Sequence, residues 1–510
     1  MYFRKSKISK SMLLLPALLI SACGGSSISP PPLNPIVEPG GSNQPIPDGV
    51  WIQKGFGRAL DVQAETIRRY DYSRETCFEV ETITQTDLTQ IIAIESVGSD
   101  EFIATEDSAA LVFSKRDGLP PACTDNRLIT ENGPVATLNH FTQNFSDYYP
   151  FFEERGILDW DERVRDAKMR VSENTTTEAL VNEMIGLLSE LDDSHVTLSD
   201  GANFEFTPGR SNLEEVLVTG FENQSEFANI NEYIGVQFQR LESIRNSYFD
   251  DGSVDMAGGE SQDVFLWATI GNGQVGYLQI DGMGGLSDDG SETDVDATED
   301  LMDRILTDFA NTEALIINVS INGGGELSVA DAIANRFTTE KIPVSSFQAI
   351  SYDDSPMPQL TELVHRDLSP TERVSYDRPI ATISGPNTFS AAEHFLLSMR
   401  ALNHPVCFVG EPSDGVLSAI LDKPLPIENL QIGLTNMIVY DHTGQNFEVS
   451  GVPVDVEAVT FALADSEAER NQAIDASLEA LGFGALANSE SQANDCSLTE
   501  ARSRLEISAP

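Results

Sequence analysis

Between Val264 and Ala464, short apolar runs alternate with segments of helical length, a pattern that few folds accept. Gly276-Tyr-Leu-Gln-Ile, Ala314-Leu-Ile-Ile-Asn-Val and Pro379-Ile-Ala-Thr-Ile lack the apolar–polar alternation of a strand with one wet face. Strands buried on both faces belong to a sheet that helices cover. The intervening segments supply those covers: helices are expected at Thr298 to Phe309, Leu327 to Arg336 and Ser390 to Arg400. Residues 263–484 therefore read as an α/β core.

A chain of 510 residues exceeds what one hydrophobic core supports, so further units are expected. Residues 49–130 read as a small β-domain: Trp51, Phe56, Leu60 and Val62 lie among glycine-rich turns, and Cys77-Phe-Glu-Val-Glu-Thr-Ile partly alternates. Residues 131–200 read as helical, with Phe141, Phe145, Tyr148, Tyr149 and Phe152 at core-forming spacing. A capped amphipathic helix starts near Thr176 and runs toward Leu191-Asp-Asp-Ser-His-Val-Thr. Residues 201–262 are polar and weakly patterned, and read as an irregular insert. Asp465 to Leu481 reads as a closing helix, and 485–510 as a polar tail.

The first 22 residues read as an export signal. Arg4, Lys5, Lys7 and Lys10 precede an apolar stretch, Met12 to Ile20, too short for a permanent membrane span. Ile20-Ser-Ala-Cys23 resembles the lipobox of bacterial lipoproteins, which implies lipidation of Cys23. Gly24 after it, rather than aspartate, implies the outer membrane. Residues 23–48, rich in Gly, Ser, Pro and Asn, read as a flexible tether. The formal charge of −50 argues against nucleic-acid partners. Cys77, Cys123, Cys407 and Cys496 allow three pairings; 77 with 123 and 407 with 496 keep each bridge within one region. No His or Cys cluster has metal-ligand spacing, and neither a metal nor a cofactor is expected.

Four segments carry chemistry. In Ile-Ser-Gly-Pro-Asn-Thr-Phe-Ser390-Ala-Ala-Glu, a buried strand turns into a helix that opens on a serine. A helix N-terminus offers free N–H groups and partial positive charge, which suits a serine nucleophile and its oxyanion. Asn318-Val-Ser-Ile-Asn-Gly-Gly-Gly ends a second buried strand in a loop whose glycines bring backbone amides close to a ligand. His195 is a candidate base; His394, one turn after Ser390, ranks second because it points along the helix body. Glu448, in Gly444-Gln-Asn-Phe-Glu-Val-Ser-Gly-Val-Pro-Val-Asp, is a candidate acid to orient the base.

In order and spacing these segments resemble the C-terminal-processing peptidase family, and especially its tricorn-like branch. Thr388-Phe-Ser-Ala-Ala-Glu393 matches that family's Thr-x-Ser-Ala-x-Glu nucleophile turn, and Gly410-Glu-Pro-Ser-Asp-Gly-Val-Leu its following strand and loop. The resemblance spans roughly residues 135 to 482 and implies a ClpP/crotonase-like α/β peptidase core. It implies Ser390 as nucleophile, His195 as base, and Glu448 and Ser194 as its orienting partners. Ala391 and a glycine among Gly323, Gly324 and Gly325 would form the oxyanion hole. The family's other style, a Ser-Lys dyad, fits less well, because position 415 is Gly and the nearest lysine is Lys423. Many relatives carry a PDZ domain near residues 201–262, but no carboxylate-binding glycine loop stands out there. Asn318 and Ser320 replace the family's usual Asp and Arg, and Val449 a Gly. The implied function is a serine endopeptidase acting on unfolded or partly folded protein. The alternative is a catalytically silent ligand-binding lipoprotein on the same fold, like the family's retinoid-binding relatives.

Overall fold

The computed structural model describes residues 45–89, 92–106, 109–124, 127–209, 212–259, 263–287, 293–353, 355–461 and 470–488. The export signal, Cys23, most of the tether and Cys496 lie outside them.

The core is a seven-stranded sheet in the order Asp255–Gly258, Asp263–Ile270, Val275–Ile280, Ala314–Asn318, Ile380–Ser384, Val406–Gly410, Val456–Glu457. The first three strands pair antiparallel, and every pair from Val275–Ile280 onward is parallel. Each residue of Ala314–Asn318 and of Ile380–Ser384 is buried. Their side chains divide between two apolar layers. Leu315 and Ile317 pack in one with Met302, Ile333 and Phe395; Ala314 and Ile316 pack in the other with Ile474 and Leu478. Full burial of each such leucine or isoleucine contributes about 2 kcal/mol. The covering helices are Asp294–Asp308, Leu327–Ala334 and Ala391–Ala401 on one face and Gln472–Ala480 on the other. The first begins four residues before its expected start, because the Thr293 hydroxyl caps it by accepting the Asp296 amide.

A second four-stranded sheet carries the site. Thr197–Ser199 pairs with Gln431–Thr435, which pairs in turn with Ile420–Pro424. This pairing brings the segment containing His195 onto the α/β core across more than two hundred residues of sequence. The preceding helices, Pro134–Tyr148, Trp160–Arg170 and Thr177–Leu188, enclose the expected aromatic core.

The N-terminal unit is a seven-stranded antiparallel sheet with its own apolar cluster around Trp51, Phe102 and Phe113. A Cys77–Cys123 disulfide joins it across 46 residues. Cys407, buried in the core sheet, is disulfide-bonded as well. Residues 201–262 depart from the irregular reading: they contain the helices Asn212–Glu222 and Ile230–Asn246. Leu213, Leu217, Tyr233 and Ile234 bury against Phe461. Leu213, Leu217 and Phe221, and Ile230, Ile234, Phe238 and Leu241, stand three or four residues apart, the spacing of a helix face.

Lys423 belongs to the contact between the N-terminal sheet and the body. Its side chain is fully buried, with Nζ 3.1 Å from Asp71 Oδ2 and donating to the Phe56 carbonyl at 2.9 Å. Asp71 also meets His140 Nε2 at 2.8 Å.

Candidate active site

Ser390 stands at the N-cap of Ala391–Ala401 with φ 59° and ψ −128°. A left-handed φ on a residue other than glycine costs about 1–3 kcal/mol and persists only where its surroundings impose it. Here the surroundings are well defined. The Ser390 amide donates to Glu393 Oε2 and to the Val416 carbonyl, each at 3.1 Å. The Ser390 carbonyl accepts from the amides of Glu393 at 2.9 Å and His394 at 3.2 Å. Upstream, Thr388 Oγ1 donates to the Val319 carbonyl at 2.7 Å and the Phe389 amide to the Asn322 carbonyl at 3.2 Å. The serine turn is thus riveted to the glycine loop.

That loop demands glycine. Gly324 has φ 92°, and a Cβ there would lie 2.7 Å from Ser390 Cβ and 2.9 Å from the Phe389 carbonyl oxygen. The fully buried Asn322 braces the loop: its Nδ2 donates to the Ile280 carbonyl at 3.0 Å, and its Oδ1 accepts the Gly324 amide at 2.8 Å. The Gly324 N–H is thereby committed inside the loop. The amides of Gly323 and Ala391 have no partner among the described residues. Asn318 and Ser320 bond within the scaffold: Asn318 Nδ2 donates to the Tyr277 hydroxyl at 2.8 Å, and Asn318 Oδ1 accepts the Ser320 amide at 2.9 Å.

His195 is buried, 2% exposed. Its amide donates to Asp193 Oδ1 at 3.0 Å, and its Nδ1 lies 2.7 Å from the Ser418 carbonyl oxygen. A carbonyl only accepts, so Nδ1 carries the proton and Nε2 holds the lone pair. Burial lowers the imidazole's pKa from its ordinary value, which keeps it neutral at neutral pH. The ring lies beside Phe389 of the serine turn, centroid to centroid 6.4 Å.

Val416, Leu417 and Ser418 organise everything around them. Their carbonyls hold, in turn, the Ser390 amide, His394 Nε2 at 2.9 Å and His195 Nδ1. Their amides all donate to two buried carboxylates: Val416 to Glu393 Oε2 at 2.9 Å, Leu417 and Ser418 to Glu448 Oε2 at 3.0 Å each. Glu393 Oε1 further accepts the Ser413 hydroxyl at 2.6 Å and the Gly415 amide at 2.9 Å. Burial pushes the Glu393 carboxyl up to about 7, against those hydrogen bonds. Burial, and then the neighbouring Asp193, raise Glu448 well above the carboxylate range. Burial, followed by Arg366, takes His394 down to about 3.

The expected residues are therefore placed unequally. Ser390 and Ala391 lie against the glycine loop at Gly324, and His195 lies beside Phe389 of the serine turn, with no hydrogen bond between the Ser390 and His195 side chains among the described residues. Glu448 bonds the backbone that carries the His195 acceptor, rather than the imidazole itself. The Ser194 hydroxyl is buried without a partner among the described residues, so it bonds neither His195 nor Glu448. Lys423 is committed to Asp71. Sequence reasoning passed over Glu393, Asn322, Asp193 and Arg155. Glu393 carried a signal, since glutamate three residues after an N-cap serine is a capping pattern. Among the described residues, no group of three or more His, Cys, Asp or Glu side chains converges to hold a metal ion.

Residues 274–458 match the model of peptidase family S41. No curated protein matches in sequence. Among solved structures, a protein of Parabacteroides merdae ATCC 43184 assigned as a peptidase superposes with a TM-score of 0.53 at 20% identity, covering 68% of this chain and 96% of that one. Mature CPAF gives 0.44 at 15% identity, covering 66% and 94%. The photosystem II D1 C-terminal processing protease gives 0.38 at 11%, covering 70% and 99%.

Proposed function

We propose that this chain, whose residues 274–458 match the model of peptidase family S41, is a serine endopeptidase that cleaves unfolded or partly folded protein through an acyl-enzyme at Ser390. One observation carries the reading: the Val416 and Ser418 carbonyls, two residues apart, hold the Ser390 amide and His195 Nδ1. The nucleophile and a neutral base with a free Nε2 lone pair are thus mounted on one backbone segment. Ser390 Oγ attacks the substrate carbonyl carbon while His195 Nε2 takes its proton. The amides of Ala391 and Gly323 accept the developing oxyanion. The imidazolium returns the proton to the leaving amine. Water, deprotonated by the same nitrogen, then releases the acyl group. Glu448 acts at one remove, by fixing the Ser418 carbonyl.

The test is incubation with casein beside a Ser390→Ala control, with fragments followed by mass spectrometry. Fragments from the wild type alone support the reading. None from either would favour the silent ligand-binding alternative.

The export reading is also a proposal. Cys23 would be lipidated and anchor the protein in the outer membrane, and the Cys77–Cys123 bridge fits an oxidising compartment. Mass spectrometry of the mature N-terminal peptide checks it: a lipid adduct on Cys23 is expected, and an unmodified Cys23 or a different mature N-terminus contradicts it.

A further inference from the structure

Arg155 lies in the turn after Pro134–Tyr148, and nothing in the sequence pattern marks it. Its side chain is only 6% exposed and stands between two fully buried acids. Nε is 3.4 Å from Asp193 Oδ2, Nη2 is 3.5 Å from Glu448 Oε1, and Nη1 donates to the Asp192 carbonyl. Both acids hold His195 by its backbone or its acceptor. Asp193 Oδ1 accepts the His195 amide, and Glu448 Oε2 accepts the Ser418 amide beside the carbonyl that holds Nδ1. Asp193 Oδ2 is further bonded by the Tyr149 and Thr435 hydroxyls at 2.9 and 3.0 Å.

Resting on the peptidase reading above, we propose that Arg155 is a positioning residue of the reaction: its buried guanidinium bridges Asp193 and Glu448 and favours the charged form of Glu448, so that this carboxyl continues to grip the Leu417 and Ser418 amides and thereby the tautomer of His195. The charge count supports this. The titratable groups facing the cluster are Asp192, Asp193 and Tyr149 from the helical segment, Glu393 and His394 from the nucleophile helix, with Arg366 behind His394, and His195 itself. Of these, Asp193 and Glu393 are buried acids beside the buried Glu448, and Arg155 is the cation in contact with both Asp193 and Glu448. A buried carboxylate that loses its cation takes up a proton instead. A protonated Glu448 no longer offers two amides a charged acceptor, and the Ser418 carbonyl is free to turn.

Arg155→Met keeps the stem and removes the charge. Its kcat at pH 7 should fall roughly a hundredfold, the scale of a small misplacement of a catalytic group, with KM changed less than about twofold. The deficit should narrow as pH rises and Glu448 ionises, so the acid limb moves to higher pH. Glu448→Gln should show a similar loss at pH 7 that does not recover, and the double variant should be no worse than E448Q alone. Arg155→Lys should retain the wild-type acid limb. A pH-independent deficit in R155M, or deficits that multiply in the double variant, would overturn the inference. A second measurement needs no turnover. In 13C-glutamate-labelled Ser390→Ala protein, the carboxyl resonance lost in E448Q should titrate at lower pH with Arg155 present than in R155M; coincident titrations overturn it. A wild-type enzyme without peptidase activity would sink the functional reading and leave the carboxyl resonance to decide the role of Arg155.

Discussion

Replacing Glu393 by glutamine separates two consequences of one buried carboxylate. The side chain is fully buried and accepts four hydrogen bonds: from the Ser413 hydroxyl and the amides of Gly415, Val416 and Ser390. An amide has one acceptor oxygen, so its NH2 must face two of those donors. Two bonds to a charged group are lost, at roughly 1.5–3 kcal/mol each. Against this, the variant no longer buries a charge. The rise from 4.5 to about 7 corresponds to about 3 kcal/mol of penalty on the ionised form. The two effects oppose, and net destabilisation at neutral pH should be only about 0–3 kcal/mol. Activity has no such compensation. Whichever way the amide turns, either Ser390 and Val416 lose their acceptor together or the Ser413 hydroxyl and the Gly415 amide do, which loosens the turn that leads into Val416–Ser418, and kcat should fall at least about a hundredfold. The pH dependence has a definite sign. A carboxyl whose folded pKa is raised contributes stability that is fully present below its unfolded value near 4.5 and is lost as pH rises through about 7. Urea unfolding of wild type and E393Q at several pH values between 4 and 8, in the Ser390→Ala background if self-cleavage intervenes, reads this directly. The wild type should lose up to about 3 kcal/mol relative to E393Q over that range. Near-wild-type turnover in E393Q, or a wild-type advantage that grows with pH, would refute the reasoning.

Three further perturbations test the parts separately. Ser390→Gly should melt higher than Ser390→Ala, because glycine adopts φ 59° without the strain of about 1 kcal/mol or more; equal melting temperatures would mean the turn is not strained. Gly324→Ala should abolish turnover, since its Cβ would lie 2.7 Å from Ser390 Cβ at φ 92°; an active variant would show that the loop can retreat. Lys423→Met should destabilise by about 3–5 kcal/mol by leaving the buried Asp71 with His140 alone, yet preserve kcat at temperatures where the variant is folded; a folded, inactive K423M would revive a lysine base.

The α/β core was legible because parallel strands buried on both faces have an unmistakable composition, as in Ala314-Leu-Ile-Ile-Asn. The nucleophile turn was legible because strand, turn and capping serine are local in sequence. The helices of residues 201–262 were overlooked although Leu213, Leu217 and Phe221, and Ile230, Ile234, Phe238 and Leu241, stand at helical spacing; the polar stretches around the two helices hid the pattern. The deeper miss concerns how His195 is held. A triad template assigns a side chain to the imidazole, whereas here a backbone carbonyl at Ser418 takes Nδ1 and the acid, Glu448, bonds that backbone. Neither a carbonyl nor the amides of Leu417 and Ser418 leave any mark in a sequence. Arg155 and Asp193 lie more than two hundred residues from the Val416–Ser418 segment they support, and the pairing of Thr197–Ser199 with Gln431–Thr435 helps bring them there.

The most direct test of the account is labelling with a fluorophosphonate, which reports an activated serine without any assumption about substrate. Wild-type protein should carry one adduct, mapped by tandem mass spectrometry to Ser390, absent in Ser390→Ala and at least about a hundredfold slower to form in His195→Ala. An unlabelled wild type, an adduct on another serine, or labelling that His195→Ala leaves untouched would contradict it.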